Sequence, residues 1–195
     1  MSTFKVYFGL GYDHIISILG YDHIIFVVSL AAIYLLRDWK KVLILITAFT
    51  IGHSITLALS TLDVVYIDPS YIEFFIPVTI FITAFANLFK SERSLKSVNK
   101  IQLNYVFALV FGLIHGLGFS NYLKSLIGKS GNIVEELLAF NLGLELGQIV
   151  IVLSFLLISF IFIELFGVKR RDWVLIISSI IIGLSLTLMM ETKFW

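Results

Sequence analysis

The chain has 195 residues, of which 59% are hydrophobic and 14% are charged, and its mean hydropathy is +1.01. Soluble domains carry about 25% charged residues, so this composition excludes an ordinary soluble protein. The net charge of +1 gives no signal of nucleic-acid binding, and the absence of cysteine excludes disulfides and thiolate metal sites. We therefore expect an integral membrane protein that contacts membrane lipid and has no nucleic-acid partner.

Apolar segments of spanning length recur along the whole chain. Crossing about 30 Å of hydrocarbon takes about 20 apolar residues, and the polar stretches between the segments are too short for a soluble domain. We predict an all-α fold, a polytopic membrane helix bundle that forms a single integral membrane domain over residues 1–195. The six predicted transmembrane helices are 12–36, 42–62, 71–89, 101–127, 135–167 and 173–191.

Positive charge is distributed unevenly between the two sides of the predicted bundle. Of the 14 Lys and Arg residues, four lie elsewhere and the others lie in the loops after spans one, three and five. Cytoplasmic loops are enriched in Lys and Arg, so we expect these loops inside and both termini outside. The residues in these loops are Arg37, Lys40, Lys41, Lys90, Arg93, Lys96, Lys100, Lys169, Arg170 and Arg171.

Ionisable residues occur inside the predicted spans, where an uncompensated charge costs several kcal/mol. All four histidines of the chain lie in or at the edge of apolar segments, and three carboxylates accompany them. Such a set requires mutual pairing, water or an ion. The seven residues are His14, Asp22, His23, His53, Glu73, His115 and Glu145.

Three histidines with carboxylates are suited to a borderline divalent ion such as Ni²⁺, Co²⁺ or Zn²⁺. We expect His23, His53 and His115 to converge on an ion in the outer half of the membrane. Glu145 is predicted to be the most deeply buried carboxylate, and Glu73 is predicted to lie near the outer surface. The alternative is a buried polar network that only holds the helices together.

Polar neighbours of the predicted ligands share their helix faces. Asn141, Glu145 and Gln148 are spaced i, i+4, i+7 in the fifth span, and Thr50 and Ser54 flank the histidine of the second span. We expect the amides and hydroxyls of this set to orient the metal ligands.

Glycines also surround the predicted ligands. Gly112 and Gly116 flank the histidine of the fourth span, and Gly143 and Gly147 flank the carboxylate of the fifth. Small residues let membrane helices approach closely, so we expect tight packing at these positions.

The tetrapeptide GYDH occurs twice, with His14 and His23 nine residues apart. In a continuous helix the two rings would face opposite sides and stand about 13.5 Å apart along the axis, so one ion could not bind both. His14 therefore lies either at the outer mouth of the site or on a segment that is broken at Gly20 and folds over it.

Five segments, taken in order, resemble the HupE/UreJ family of bacterial membrane proteins, in its branch with a short N-terminus. They are GYDHIIF, FTIGHSITLALS, a Glu that opens the third span, FGLIHGLGFS and FNLGLELGQ. The resemblance implies a six-span protein of the bacterial inner membrane that supplies nickel or cobalt to hydrogenases and ureases. The motif positions of the family correspond in this chain to His14, Asp22, His23, His53, Glu73, His115, Asn141, Glu145 and Gln148.

Two function classes remain open at this point. The first is a permease or supply protein for a divalent metal, nickel or cobalt. The second is an intramembrane zinc hydrolase in which three histidines hold the metal and Asp22, Glu73 or Glu145 acts as the base. Either class is compatible with a homo-oligomer, and the cofactor or cargo expected is Ni, Co or Zn.

Overall fold

The computed structural model of the chain describes residues 2–17, 20–92, 95, 101–126 and 132–195. Within these ranges the regular structure is entirely helical, which confirms the all-α fold class. The helices are α1 (Thr3–Ile16), α2 (Tyr21–Ala31), α3 (Trp39–Thr61), α4 (Pro69–Leu88), α5 (Ile101–Leu126), α6 (Ile133–Phe160) and α7 (Arg170–Glu191).

Short irregular turns join or extend several of these helices. A 3₁₀ turn, Leu36–Asp38, leads into α3, and a π-helical turn, Ile161–Leu165, continues α6. Helix α4 begins at Pro69, where a missing N–H costs nothing, and the Asp68 side chain accepts a hydrogen bond from the Ser70 N–H. The bounds of α3 to α7 lie within a few residues of those predicted.

The first predicted span is the one that the structure changes most. Its helix begins at Thr3 rather than at residue 12 and ends at Ala31 rather than at residue 36. It is also divided into α1 and α2, whose axes are inclined at 70° to each other. The two halves pass the length and apolarity test for a membrane span only when they are taken together.

Among the described residues, four helices are individually long and apolar enough to cross a membrane, and the α1–α2 pair raises the number to five. The four are Leu36–Thr61, Pro69–Leu88, Ile133–Leu165 and Arg170–Glu191. Within α5 the segment Asn104–Ser120 is apolar, and the residues that flank it on either side are not among those whose side chains the structure describes. Six spans, with both termini outside, therefore stay a prediction.

Helices α3 and α5 pack backbone to backbone through glycine. A Cβ atom on Gly112 of α5 would collide with the carbonyl of Phe49, and one on Gly52 of α3 would collide with the carbonyl of Leu109. The contact is thus reciprocal. It brings the helix that carries His53 directly against the helix that carries His115.

Helices α1 and α6 form a second pair of the same kind. A Cβ on Gly143 of α6 would collide with the carbonyl of Phe8, and one on Gly11 of α1 would collide with the carbonyl of Phe140. The expected close packing at the glycines of the fourth and fifth spans is confirmed. The consequence for the site is that α1, and therefore His14, is held against α6.

Three connections meet at one end of the bundle, called here the basic end because two of them bring Arg37 and Arg170 together there. The Arg170 guanidinium donates a hydrogen bond to the carbonyl of Ile33, which joins the start of α7 to the chain after α2. Arg170 also lies close to Arg37 and shares a cavity wall with Glu92. The predicted cytoplasmic residues Arg93, Lys96 and Lys100 lie outside the described residues.

Candidate metal centre

Three histidine rings lie in a row in the interior of the bundle. The ring centroids of His14 and His23 are 4.5 Å apart, and those of His23 and His115 are 5.5 Å apart. His23 and His115 are buried, with 7% and 1% of their surface exposed. Three separate helices, α1, α2 and α5, each contribute one ring to this row.

The division of the first span explains how His14 reaches His23. A continuous helix would separate the two rings along its axis, whereas the 70° angle between α1 and α2 folds one ring back over the other. The sequence left two positions open for His14, the outer mouth of the site or a segment that is broken at Gly20 and folds over it. The structure agrees with the second. The helix α1 ends at Ile16 and α2 begins at Tyr21, so the interruption lies beside Gly20.

His53 is fully buried and lies close enough to the three rings of the row to interact with them electrostatically. Its ring lies between those of Phe49 and Phe140, at centroid distances of 6.0 and 6.4 Å. Nowhere in the described ranges do three or more His, Asp or Glu side chains form a group that could hold a metal ion. The convergence of His23, His53 and His115 on one ion stays a prediction.

Some histidine nitrogens in this region are buried without a hydrogen-bond partner. Counting partners among the described residues only, they are Nε2 of His14 and Nδ1 of His115, while His53 interacts with the Asn141 side chain. The Nε2 atom of His115 lies 3.4 Å from the Thr79 hydroxyl. Buried polar atoms are normally paired, so unpaired imidazole nitrogens indicate donor atoms that are available to a ligand. The donor set therefore fits a divalent transition metal.

Asp22 interacts with the histidine beside it rather than with the other rings of the row. Its Oδ1 atom lies 3.0 Å from Nδ1 of His23. A carboxylate that accepts a hydrogen bond from Nδ1–H fixes the tautomer of the ring and leaves Nε2 as the atom that can bind a metal. This geometry assigns Asp22 an orienting role.

Phenylalanine rings enclose the histidine row. The centroid of Phe119 lies 3.9 Å from that of His14, while Phe26 and Phe49 lie 4.8 and 5.3 Å from His115. An apolar wall excludes water and strengthens electrostatic interactions inside it. A cation that enters this space must therefore be compensated by the site's own donor atoms.

Glu145 makes its hydrogen bond to α3 and not to a histidine. The Thr47 hydroxyl donates to its Oε1 atom at 2.7 Å, and one turn further the Thr50 hydroxyl donates to Gln148 at 2.9 Å. Glu145 is half-buried within the bundle and so is not the carboxylate with the least exposed surface, which is Glu136 among the described residues; its depth in the bilayer stays a prediction. These two hydrogen bonds join α3 to α6.

Glu73 is exposed, and its position near the outer surface of the membrane stays a prediction. It lines a cavity of about 280 Å³ together with Asp22, Gly20 and Pro77. The cavity therefore links the start of α2, next to the histidine row, with the exposed face of α4. Glu73 and Asp22 are the two carboxylates of the predicted set that share one cavity.

The remaining predicted neighbours bond mainly to helix backbone. The Asn141 amide donates to the carbonyl of Leu137, and the Ser54 hydroxyl donates to the carbonyl of Thr50. Asn141 lies beside His53, and its side chain, with a buried Oδ1 atom, interacts with the His53 ring. Asn141 is thus the member of this set that lies close to a histidine.

Sequence reasoning missed Glu136, which is 3% exposed and has a buried Oε2 atom without a hydrogen-bond partner. It lies four residues before Phe140 and seven before Gly143, so it shares the face of α6 that packs on α1. The spacing of Glu136 from these two residues is the feature of the sequence that could have identified it. The predicted span 135–167 places Glu136 at its second residue, where a carboxylate at the membrane edge is ordinary.

Comparison with known proteins gives one match. The family model described as HupE / UreJ protein matches residues 1–193, which is essentially the whole chain. No curated protein and no solved structure matches the chain significantly.

Proposed function

The chain belongs to the HupE/UreJ family, and on that premise we propose that it is a bacterial inner-membrane permease or supply protein for a divalent transition metal, nickel or cobalt. The family is associated with nickel and cobalt supply. The proposal assigns the metal as cargo, held transiently by histidines in the interior of a six-span domain over residues 1–195 with both termini outside.

The row of His14, His23 and His115 is the observation that carries this proposal. Nickel and cobalt prefer imidazole nitrogen, and the three rings of the row supply such donors without the thiolates that would trap the ion. A transported ion must bind well enough to enter and weakly enough to leave. A row of donors that is not closed into a tight cage suits that requirement.

The cavity lined by Asp22 and Glu73 supports an entry route to the row. Two carboxylates attract a dication to the cavity, and Asp22 is hydrogen-bonded to His23, which belongs to the row. In this proposal Glu73 gathers the ion, His23 and His14 bind it first, and His115 binds it further in. His53 and Asn141 then lie beside the deeper part of the route.

Uptake of metal into proteoliposomes tests the proposal. Vesicles that contain the purified chain and a trapped nickel-sensitive dye should accumulate Ni²⁺. Either His23→Ala or His115→Ala should reduce the rate of Ni²⁺ uptake at least tenfold, because each removes a donor from the row. Ser178→Ala is the matched control, since Ser178 is a fully buried polar residue of α7 without a partner, on a helix that carries no histidine. Metal binding without uptake by the unaltered chain would contradict the permease and favour the zinc hydrolase.

A further inference from the structure

A second cavity, of about 230 Å³, lies between α4 and α5 near the basic end and contains none of the site residues described above. It is called here the α4–α5 groove. Its floor includes the buried residues Ser29, Leu45 and Phe111, and its rim includes the exposed residues Ile82 and Phe107. Because its rim lies on the exposed perimeter of the bundle, the groove opens sideways, toward the bilayer.

The groove is apolar along most of its length and polar at one end. Lys90, which follows the C-terminus of α4, and Asn104, in the first turn of α5, both line it at the basic end. Ile82 lies eight residues before Lys90, which corresponds to about 12 Å along the helix axis. That length covers most of one leaflet of a hydrocarbon core about 30 Å thick.

Lys90 has no carboxylate partner among the described residues, whose ion pairs involve other side chains. It is half-buried, and burial lowers the pKa of its ammonium group. An anion beside the ammonium group would offset the free-energy cost of burying its charge. The described part of the groove lining contains no carboxylate, so a compensating anion would come from a ligand.

Uncharged donors line the same groove as Lys90. The Ser29 hydroxyl is fully buried and has no hydrogen-bond partner within the described part of the chain. The Asn104 amide donates one hydrogen bond to the Tyr34 hydroxyl, which leaves its second N–H available. A cation in the groove would be repelled by Lys90, whereas a phosphate oxygen would satisfy both the ammonium and the neutral donors.

We propose that the α4–α5 groove binds an anionic phospholipid of the leaflet at the basic end, with its phosphate beside Lys90 and one acyl chain along Ile82 and Phe107. A polar head and an apolar tail match the polar end and the apolar length of the groove. The site is independent of metal transport, because none of its lining residues belongs to the histidine row.

Lipid titration of the purified full-length chain in neutral detergent tests this site, with bound lipid counted by native mass spectrometry. Phosphatidylglycerol should bind more tightly than phosphatidylcholine, and Lys90→Gln should weaken phosphatidylglycerol binding about fivefold. Lys40→Gln is the matched control, because Lys40 is an exposed lysine of the same end that lies outside the groove. Lys90→Arg should retain the preference.

Blocking the groove provides a second variant that keeps the charge. Ala86 lies on the rim, and Ala86→Phe should reduce phosphatidylglycerol binding while Lys90 remains. Unchanged binding in both Lys90→Gln and Ala86→Phe would overturn the proposal, as would an equal loss in Lys40→Gln.

Inorganic phosphate should not compete with the lipid, since it has no acyl chain, and full competition would overturn the assignment to a lipid. No metal is measured in these experiments, so their outcome is separate from that of the uptake assay.

Discussion

The side chain of Asp22 shows how a single residue influences the candidate centre without lying in the histidine row. Its carboxylate is hydrogen-bonded to Nδ1 of His23, so it sets the tautomer and orientation of that ring. The hydrogen bond leaves Nε2 of His23 as the nitrogen that can bind the ion. Asp22 is therefore a positioning residue in the proposed route.

Asp22→Asn should weaken metal binding by between about 10-fold and 100-fold, the usual effect of losing an orienting carboxylate. The folded bundle should persist, because Asn has nearly the same volume. Isothermal titration of the purified protein with Ni²⁺ measures the change. Asp63→Asn is the control, since Asp63 is an exposed residue paired with Lys124. Unaltered affinity in the Asp22 variant would show that its hydrogen bond to His23 has no part in binding.

The sequence identified residues that the structure places at the centre, but it did not show which neighbouring helix each side chain faces. Four histidines in apolar segments are visible in any reading of the chain, and three of their rings do lie in one row. The i, i+4, i+7 spacing of Asn141, Glu145 and Gln148 defines a helix face but not which helix lies opposite. That neighbour is α3, which supplies Thr47 and Thr50 as the partners of Glu145 and Gln148.

Among the helices, the α3–α5 pair is the clearest case of packing that fixes the position of site residues. Its glycine contacts leave no room for a methyl group between the two backbones. Because His53 and His115 lie on these two helices, any increase in their separation moves both rings. The pair therefore couples the stability of the bundle to the geometry of the centre.

Gly112→Ala should destabilise the protein by about 1–3 kcal/mol, the usual cost of overpacking, because its Cβ would meet the Phe49 carbonyl. Gly183→Ala is the matched control, since a Cβ on this glycine of α7 meets nothing within 4 Å. Thermal unfolding in detergent compares the two variants. Equal melting temperatures would contradict the close approach of α3 and α5.

Helix positions were predictable because long apolar stretches are bounded by charged or polar residues, as at Asp68 and Pro69 before α4. The division of the first span was not predictable to the same degree. Hydropathy averages over a window, and the apolar stretch continues through the region between Ile16 and Tyr21. Only Gly20 and the repeated GYDH gave a local signal of the break that brings His14 to His23.

For the molecule as a whole, the concentration of basic residues at one end supports the proposed orientation, in which that end faces the cytoplasm. The chain contains no cysteine, so a single introduced thiol can be labelled without background. The histidine row then lies in the outer half of the bilayer, and the α4–α5 groove lies in the inner half.

A cysteine at Ser91, in the connection after α4, should be protected from a membrane-impermeant thiol reagent in intact cells. A cysteine at the exposed Tyr66, in the connection between α3 and α4, should react. Both should react after the membrane is permeabilised, which controls for the accessibility of each position. The reverse pattern in intact cells would invert the proposed topology.

The central claim is that histidines in the bundle interior bind a divalent transition metal, and metal analysis of the purified protein tests it most directly. In equilibrium dialysis against Ni²⁺ or Co²⁺, the chain should bind about one ion per molecule at saturation. A variant with His14, His23 and His115 all changed to Ala should bind none, whereas Glu145→Gln should bind the full amount because Glu145 bonds to Thr47. No bound metal in the unaltered chain, or equal binding in the triple variant, would contradict the account.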